Sequence, residues 1–159
     1  MTMTGTAKYL VFSLGNEFYG IPIEAVREII RFEQLTPVHD SQEYIMGVIN
    51  LRGKIIPVMD LRRKFAMPFR EYTDKTVLII LDVDGSGGTY QVALSVDAVH
   101  EVTTPGAGDM ERIPEIGMKL KRDYLSGILK TGGRMTMILE IGRIISSDEI
   151  IELDGGEGE

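Results

Sequence analysis

Apolar residues alternate with polar ones, or gather in short aliphatic blocks, through most of the chain, a period-two pattern that predicts β-strands. Residues 9–14 (YLVFSL) are aromatic and branched and end at Gly15-Asn16, a turn pair. Residues 18–23 resume the pattern, which predicts a hairpin. Three further hairpins are predicted. One joins 47–51 to 54–60 through Arg52-Gly53, one joins 76–83 to 89–96 across Gly85-Ser86-Gly87-Gly88, and one joins 125–130 to 134–141 across Thr131-Gly132-Gly133. Helical signals are short: Ser41 as cap of 42–46, Asp60 as cap of 61–65, and Ser147 opening a turn or two through Leu153. Asp148 and Glu149 would favour the positive end of that last turn.

The pattern also repeats. Residues 47–63 (GVINLRGKIIPVMDLRR) align with 127–143 (GILKTGGRMTMILEIGR) at an offset of 80; eleven of seventeen pairs are identical or conservative. Residues 23–29 (IEAVREI) align with 96–102 (VDAVHEV) at an offset of 73, all seven pairs identical or conservative. The two blocks keep their order, and the seven extra residues of the second copy fall in 104–124, where Pro105, Gly106, Gly108, Pro114 and Gly117 predict loop. Two ordered blocks with matched framing glycines point to duplication rather than chance likeness. Each half, about 55–65 residues of short strands, has the size of a small barrel that is marginal alone and needs a shared core.

Composition narrows the function. Hydrophobic residues make up 43% of the 159 and charged residues 26%, values of an ordinary globular chain. The absence of cysteine excludes disulfides, thiol nucleophiles and thiolate zinc sites. A formal charge of −7 with no basic run speaks against nucleic acid. The longest aliphatic run, 77–81, is far short of the ~20 residues that span a bilayer, and no charged start leads into an apolar stretch, so a cytoplasmic protein without membrane insertion is expected. Residues 154–159 hold only Asp, Glu and Gly and are expected to be a disordered acidic tail.

Candidate chemistry is sparse. His39 and His100 lack a second histidine at ligand spacing, and a structural role is expected for each. The 85–88 glycine loop lacks a following Lys-Ser or Lys-Thr and runs into a strand, so it reads as a hairpin loop and not a phosphate cradle. Asp82-Val83-Asp84-Gly85 lacks the remaining ligands of a calcium loop. Asp60 and Glu140 occupy equivalent repeat positions where a helix cap is the simple role, and Met135 and Met137 read as core filling. No catalytic residue, metal site or cofactor is expected; a binding or scaffolding role is.

Residues 9–31 (YLVFSLGNEFYGIPIEAVREIIR), 36–38 (TPV) and 47–65 (GVINLRGKIIPVMDLRRKF) resemble the CheW family of bacterial chemotaxis coupling proteins, and residues 124–127 with the following hairpin resemble that family's second half. The likeness runs from about residue 8 to 153. It implies an all-β fold of two tandem SH3-like five-stranded barrels sharing a hydrophobic core with a few short helices. It implies one CheW-like domain over 8–153, with subdomains of roughly 15–75 and 76–145 and terminal segments packing across. It also implies a non-enzymatic adaptor joining the histidine kinase CheA, through its regulatory domain, to the cytoplasmic tip of chemoreceptors. By the same resemblance Ile23, Val26, Glu28 and Arg52 contribute to receptor binding, and Gly47, Val48, Leu51 and Gly53 to kinase contact. His39-Asp40-Ser41 stands where relatives often carry more proline, so the loop before Gly47 is expected to differ in shape.

Simpler roles stand beside these. Ile23 and Val26 fit barrel core, Glu28 fits a solvated charge, and Arg52-Gly53 fits a tight turn whose glycine takes positive φ. An apolar groove between barrels would accept an amphipathic receptor helix through spaced aliphatic anchors, with a rim charge fixing its orientation. The alternatives are a scaffold of the same fold in a non-chemotactic pathway, and a small acidic enzyme or metal-binding barrel.

Overall fold

The computed structural model describes residues 7–38, 43–85, 87–114 and 122–145. His39, Asp40, Ser41, the segment from Ser147 and the acidic tail lie outside the described residues. The chain is mainly β; the described residues form two four-residue helices and two sheets, one in each of two compact units.

One unit spans Met1–Ala25 and Asp97–Ile144. It contains β1 (Tyr9–Leu14), β2 (Glu17–Pro22), β8 (Ala98–Thr103), β9 (Met110–Glu111), β10 (Leu125–Thr131), β11 (Arg134–Leu139) and helix α2 (Ile141–Ile144). The strand order is β8-β1-β2-β11-β10-β9. Leu10 through Leu14 are buried in succession, as a central strand requires.

The second unit spans Val26–Val96 and Ile145–Glu159. Its strands are β3 (Val26–Arg31), β4 (Ile45–Leu51), β5 (Lys54–Asp60), β6 (Val77–Gly85) and β7 (Gly88–Val96), in the order β3-β6-β7-β5-β4, with helix α1 (Leu61–Lys64) after β5. Ile49, Ile56, Val58, Leu78, Ile80 and Ala93 form its core. Each of the Ile, Val and Leu side chains contributes about 1.5–3 kcal/mol through removal of apolar surface from water, and the Ala93 methyl less.

The two sheets are built alike. In each, two antiparallel hairpins meet through one parallel pair, β2 with β11 and β7 with β5. From sequence an internal boundary is expected at 75/76; the compact units change at 25/26, 96/97 and 144/145. The sequence copies and the compact units therefore do not coincide. β1–β2 of the first copy pairs with β8 and β11 of the second, and β6–β7 of the second copy pairs with β3 and β5 of the first.

All four predicted hairpins form, closing at Leu14↔Glu17, Leu51↔Lys54, Gly85↔Gly88 and Thr131↔Arg134. Asp60 caps α1, its Oδ1 accepting the Arg63 N–H at 2.9 Å. Three expectations are corrected. The helix expected over 42–46 gives way to a turn at 43–44 and to β4 from Ile45, because Ile45 and Val48 pair with β5 in a half-buried sheet. The loop expected over 104–124 contains β9, which adds a sixth strand beside β10. Met135 is 57% exposed rather than core, because Thr136 and Ile138 take the inward face of β11.

Candidate functional site

The candidate site is the β4–β5 hairpin with the strand β3 that faces it. Arg52 and Gly53 form a two-residue turn, both with left-handed backbone (φ 52° and 88°), the pairing that matches the twist of antiparallel strands. Gly53 N–H donates to the Asn50 side-chain oxygen at 2.9 Å and fixes the turn. Arg52 then extends back to β3, where its Nη2 donates to Glu28 Oε1. Glycine adopts this φ freely, but a side chain costs about 1–2 kcal/mol there. The second copy carries Gly132 (φ 57°) and Gly133 (φ 80°) at the same two turn positions. Arg52 is thus a side chain kept where the duplicate uses glycine.

At the other end of β4, Gly47 sits in a β-bulge and is buried, with φ 148°. A Cβ there would stand 2.2 Å from the Thr36 carbonyl oxygen. The reason is an isolated bridge: Val48 N–H donates to Thr36 O at 2.8 Å and Thr36 N–H to Val48 O at 2.9 Å. Gly127 occupies the matching bulge of β10, where a Cβ would meet Met110 Sδ of β9 at 3.0 Å. The match of Gly47 with Gly127 is therefore explained by a neighbouring segment crossing close over each bulge, and that of Gly53 with Gly133 by the positive φ of each turn.

Between β3 and β4, the edge strands of this sheet, lies a groove of about 420 Å³ lined by Ile30, Thr36, Val48, Leu51 and Leu78, with Arg31 and Glu33 among its polar groups. The structure brings Val48 and Leu51 to this groove and Arg52 to Glu28. Gly47 is a packing position and Gly53 an exposed turn residue. Val26 begins β3, half-buried and paired with Leu81. Ile23 belongs to the other unit, where it opens a 3-10 turn with its N–H held by Lys8 O at 2.9 Å.

Sequence reasoning missed the exposed apolar residues. Ile29 (43% exposed) and Val102 (49%) are one repeat pair, and Ile55 (51%) and Met135 (57%) are another. The signal was available in the alignment at offsets 73 and 80, once outward faces are known. The charge pattern is also echoed: Glu101, repeat counterpart of Glu28, pairs with Arg134, which stands at the position of Lys54. Arg134 additionally lies over the Phe18 ring at 4.5 Å, and His100 packs on the same ring at 5.2 Å while its Nε2 bonds Ser13 Oγ at 2.9 Å. This contact is the structural role expected for His100. Among the described residues, no cluster of three His, Asp or Glu could hold a metal ion, and no helix is long and apolar enough to cross a membrane.

Comparison with known proteins decides the family. The profile of the CheW-like domain matches residues 8–149. The chain belongs to the CheW-like domain family. Chemotaxis protein CheW of Klebsiella aerogenes is 38% identical over 147 residues, covering 92% of this chain and 86% of the relative. Chemotaxis protein CheW of Rhizobium meliloti is 32% identical over 155 residues, covering 92% and 97%. The crystal structure of the scaffolding protein TtCheW from Thermoanaerobacter tengcongensis superposes with a TM-score of 0.77 at 33% identity, covering 95% of each chain. The two-sheet, mainly β architecture of the CheW-like fold is thus shared with a solved relative.

Proposed function

We propose that this chain is a non-enzymatic chemotaxis adaptor that couples chemoreceptors to the histidine kinase CheA in signalling arrays. In this reading it is a cytoplasmic scaffold, held at membrane receptor arrays through protein partners. The relatives named chemotaxis protein CheW and the solved scaffolding protein support the coupling role. The observation that carries the site is Arg52, kept in a left-handed backbone and paired to Glu28 where the duplicate has glycine. Strain retained at an exposed residue, with no gain in core packing, is the signature of a binding position.

Receptor contact is assigned to Ile23, Val26, Glu28 and Arg52, and kinase contact to Gly47, Val48, Leu51 and Gly53. The exposed apolar positions repeated in both units suit two protein contacts of barrel against barrel. The test is capture of a chemoreceptor fragment and of CheA from a defined mixture. Arg52→Asp and Val26→Asp are expected to lose receptor capture while circular dichroism stays unchanged, and Val48→Asp to weaken co-elution with CheA. Normal binding of both partners by all three variants would sink the assignment.

A further inference from the structure

With nine methionines and no cysteine, this chain meets oxidants through its thioethers. Among the described residues two methionines are exposed, Met135 (57%) and Met110 (40%), whereas Met59 in the second unit's core is 1% exposed. The two exposed ones differ in what they hold. Met135 stands on the outward face of β11, and its repeat counterpart Ile55 is exposed as well. Met110 stands in β9, and its sulfur packs on the neighbouring strand.

β9 is an edge of its sheet and only two residues long, both exposed. Two residue pairs join it to β10, Met110 with Leu129 and Glu111 with Ile128. Beside them the Lys130 N–H donates to Asp109 O at 2.9 Å. The Lys130–Glu111 ion pair, 3.4 Å long, is about half exposed on both sides and adds little. The Asp109 carboxylate serves the preceding turn, its Oδ2 accepting the Gly106 N–H at 2.7 Å. An apolar contact completes the attachment: a Cβ at Gly127 would lie 3.0 Å from Met110 Sδ and 3.4 Å from its Cγ. The thioether thus rests on the bare backbone of a buried bulge in β10.

A hydroperoxide converts a thioether to a sulfoxide. A sulfur lone pair attacks one peroxide oxygen, the O–O bond breaks and an S–O bond forms. Sulfur loses two electrons, and the other oxygen leaves with the proton as water or an alcohol. The product is polar and chiral, and packed on Gly127 it forgoes water on one side. An edge strand with so few ties has little to oppose its release.

We propose that Met110 is a site of reversible oxidation by hydroperoxides, and that its sulfoxide releases β9 from β10 and bares the outer edge of β10. Reduction of the sulfoxide restores the pairing. Oxidation of Met135, which faces solvent, leaves the sheet as it is. The inference is independent of the receptor and kinase assignment above.

The test treats the full chain with hydrogen peroxide, counts each sulfoxide by peptide-mapping mass spectrometry and follows amide hydrogen exchange at Lys130 by NMR. Met110 and Met135 are expected to oxidise ahead of Met59. Exchange at Lys130 should rise at least about fivefold as the Met110 sulfoxide accumulates. Methionine sulfoxide reductases for both epimers should reverse the rise. Met110→Leu should keep slow exchange through the treatment, and Met110→Gln, which is polar, should show fast exchange without peroxide. Met135→Leu should respond as the wild type does. Three results overturn the proposal: Met110 left unmodified when Met59 is oxidised, a Met110 sulfoxide with unchanged Lys130 exchange, or a peroxide response that survives Met110→Leu. A rise shared equally by the amides of β1 and β2 would mean general unfolding and overturns it too.

Discussion

Arg52 pairs with Glu28 across 24 residues of sequence, and it does so from a left-handed backbone (φ 52°) that its counterpart Gly132 adopts without cost. Two effects of similar size oppose each other at Arg52. The backbone costs about 1–2 kcal/mol, and an exposed ion pair returns about 0.2–1 kcal/mol. Arg52→Gly is therefore expected to leave stability within about 1 kcal/mol of wild type, or slightly above it. Receptor binding by the same variant should fall at least about tenfold, a loss of about 1.4 kcal/mol. Urea melts and a binding titration on one preparation check both. Reduced stability with normal binding would make Arg52 a turn residue only.

Gly47 and Gly53 separate packing from backbone freedom. A methyl group on Gly47 meets the Thr36 carbonyl carbon and oxygen, part of a bridge that holds β4. Gly47→Ala is expected to cost about 2–4 kcal/mol, within the range of severe overpacking and backbone strain. Nothing lies within 4 Å of a Cβ at Gly53, whose φ of 88° is the sole obstacle. Gly53→Ala should cost only about 1 kcal/mol. Equal losses in chemical denaturation would refute the packing account of Gly47.

The hairpins were legible because their causes are local. Gly15-Asn16 and Arg52-Gly53 are two-residue turn signals, and the strands beside them alternate or run apolar. The repeat was legible for the same reason, since it lies in the residues themselves. Exchange of β1–β2 and β6–β7 between the two copies was not, because a hairpin's own sequence does not say which distant strand its outer edge pairs with. The Glu28–Arg52 contact is non-local in the same way. Met135 and Met137 alternate as an inward face would, yet Thr136 and Ile138 point inward; methionine and threonine differ too little for pattern alone to choose. Ile45 lost its expected helix to sheet pairing with Met59, a tertiary contact outweighing a cap signal.

Thr136 is fully buried in β11, and its Oγ1 has no hydrogen-bond partner among the described residues. Its repeat counterpart is Ile56, an apolar core residue. An unsatisfied buried hydroxyl costs about 1–3 kcal/mol, whereas the isosteric methyl group has no such need. Thr136→Val is expected to stabilise by about 1 kcal/mol, raising Tm by about 2–4 °C for a chain of this length. Thr136→Ser keeps the hydroxyl, loses a methyl and should destabilise. Calorimetry on the three proteins decides it; a Val variant less stable than wild type would mean that the hydroxyl has a partner.

Tyr72 ties the segment after α1 to the second unit's core. Its hydroxyl bonds Asp60 Oδ2 at 2.8 Å and Ser95 Oγ at 2.6 Å, and its ring meets Phe32 edge-on at 5.2 Å. Burial, aided by the Asp60 carboxylate, pushes the hydroxyl's pKa well above the ordinary tyrosine value near 10. The folded state therefore keeps this proton when the unfolded state has released it. Stability from Tyr72 is complete below about pH 10 and declines as pH rises further, by up to about 1.4 kcal/mol per pH unit. Tyr72→Phe should lack that share of the alkaline loss, leaving only the slope common to the other tyrosines and lysines. At pH 7 the same variant should be less stable by about 1–3 kcal/mol, because the buried Asp60 carboxylate loses a donor. Denaturant melts of both proteins from pH 7 to 11 measure the two effects together. Parallel stability curves over that range would show that Tyr72 ionises as freely in the folded chain as in the unfolded one.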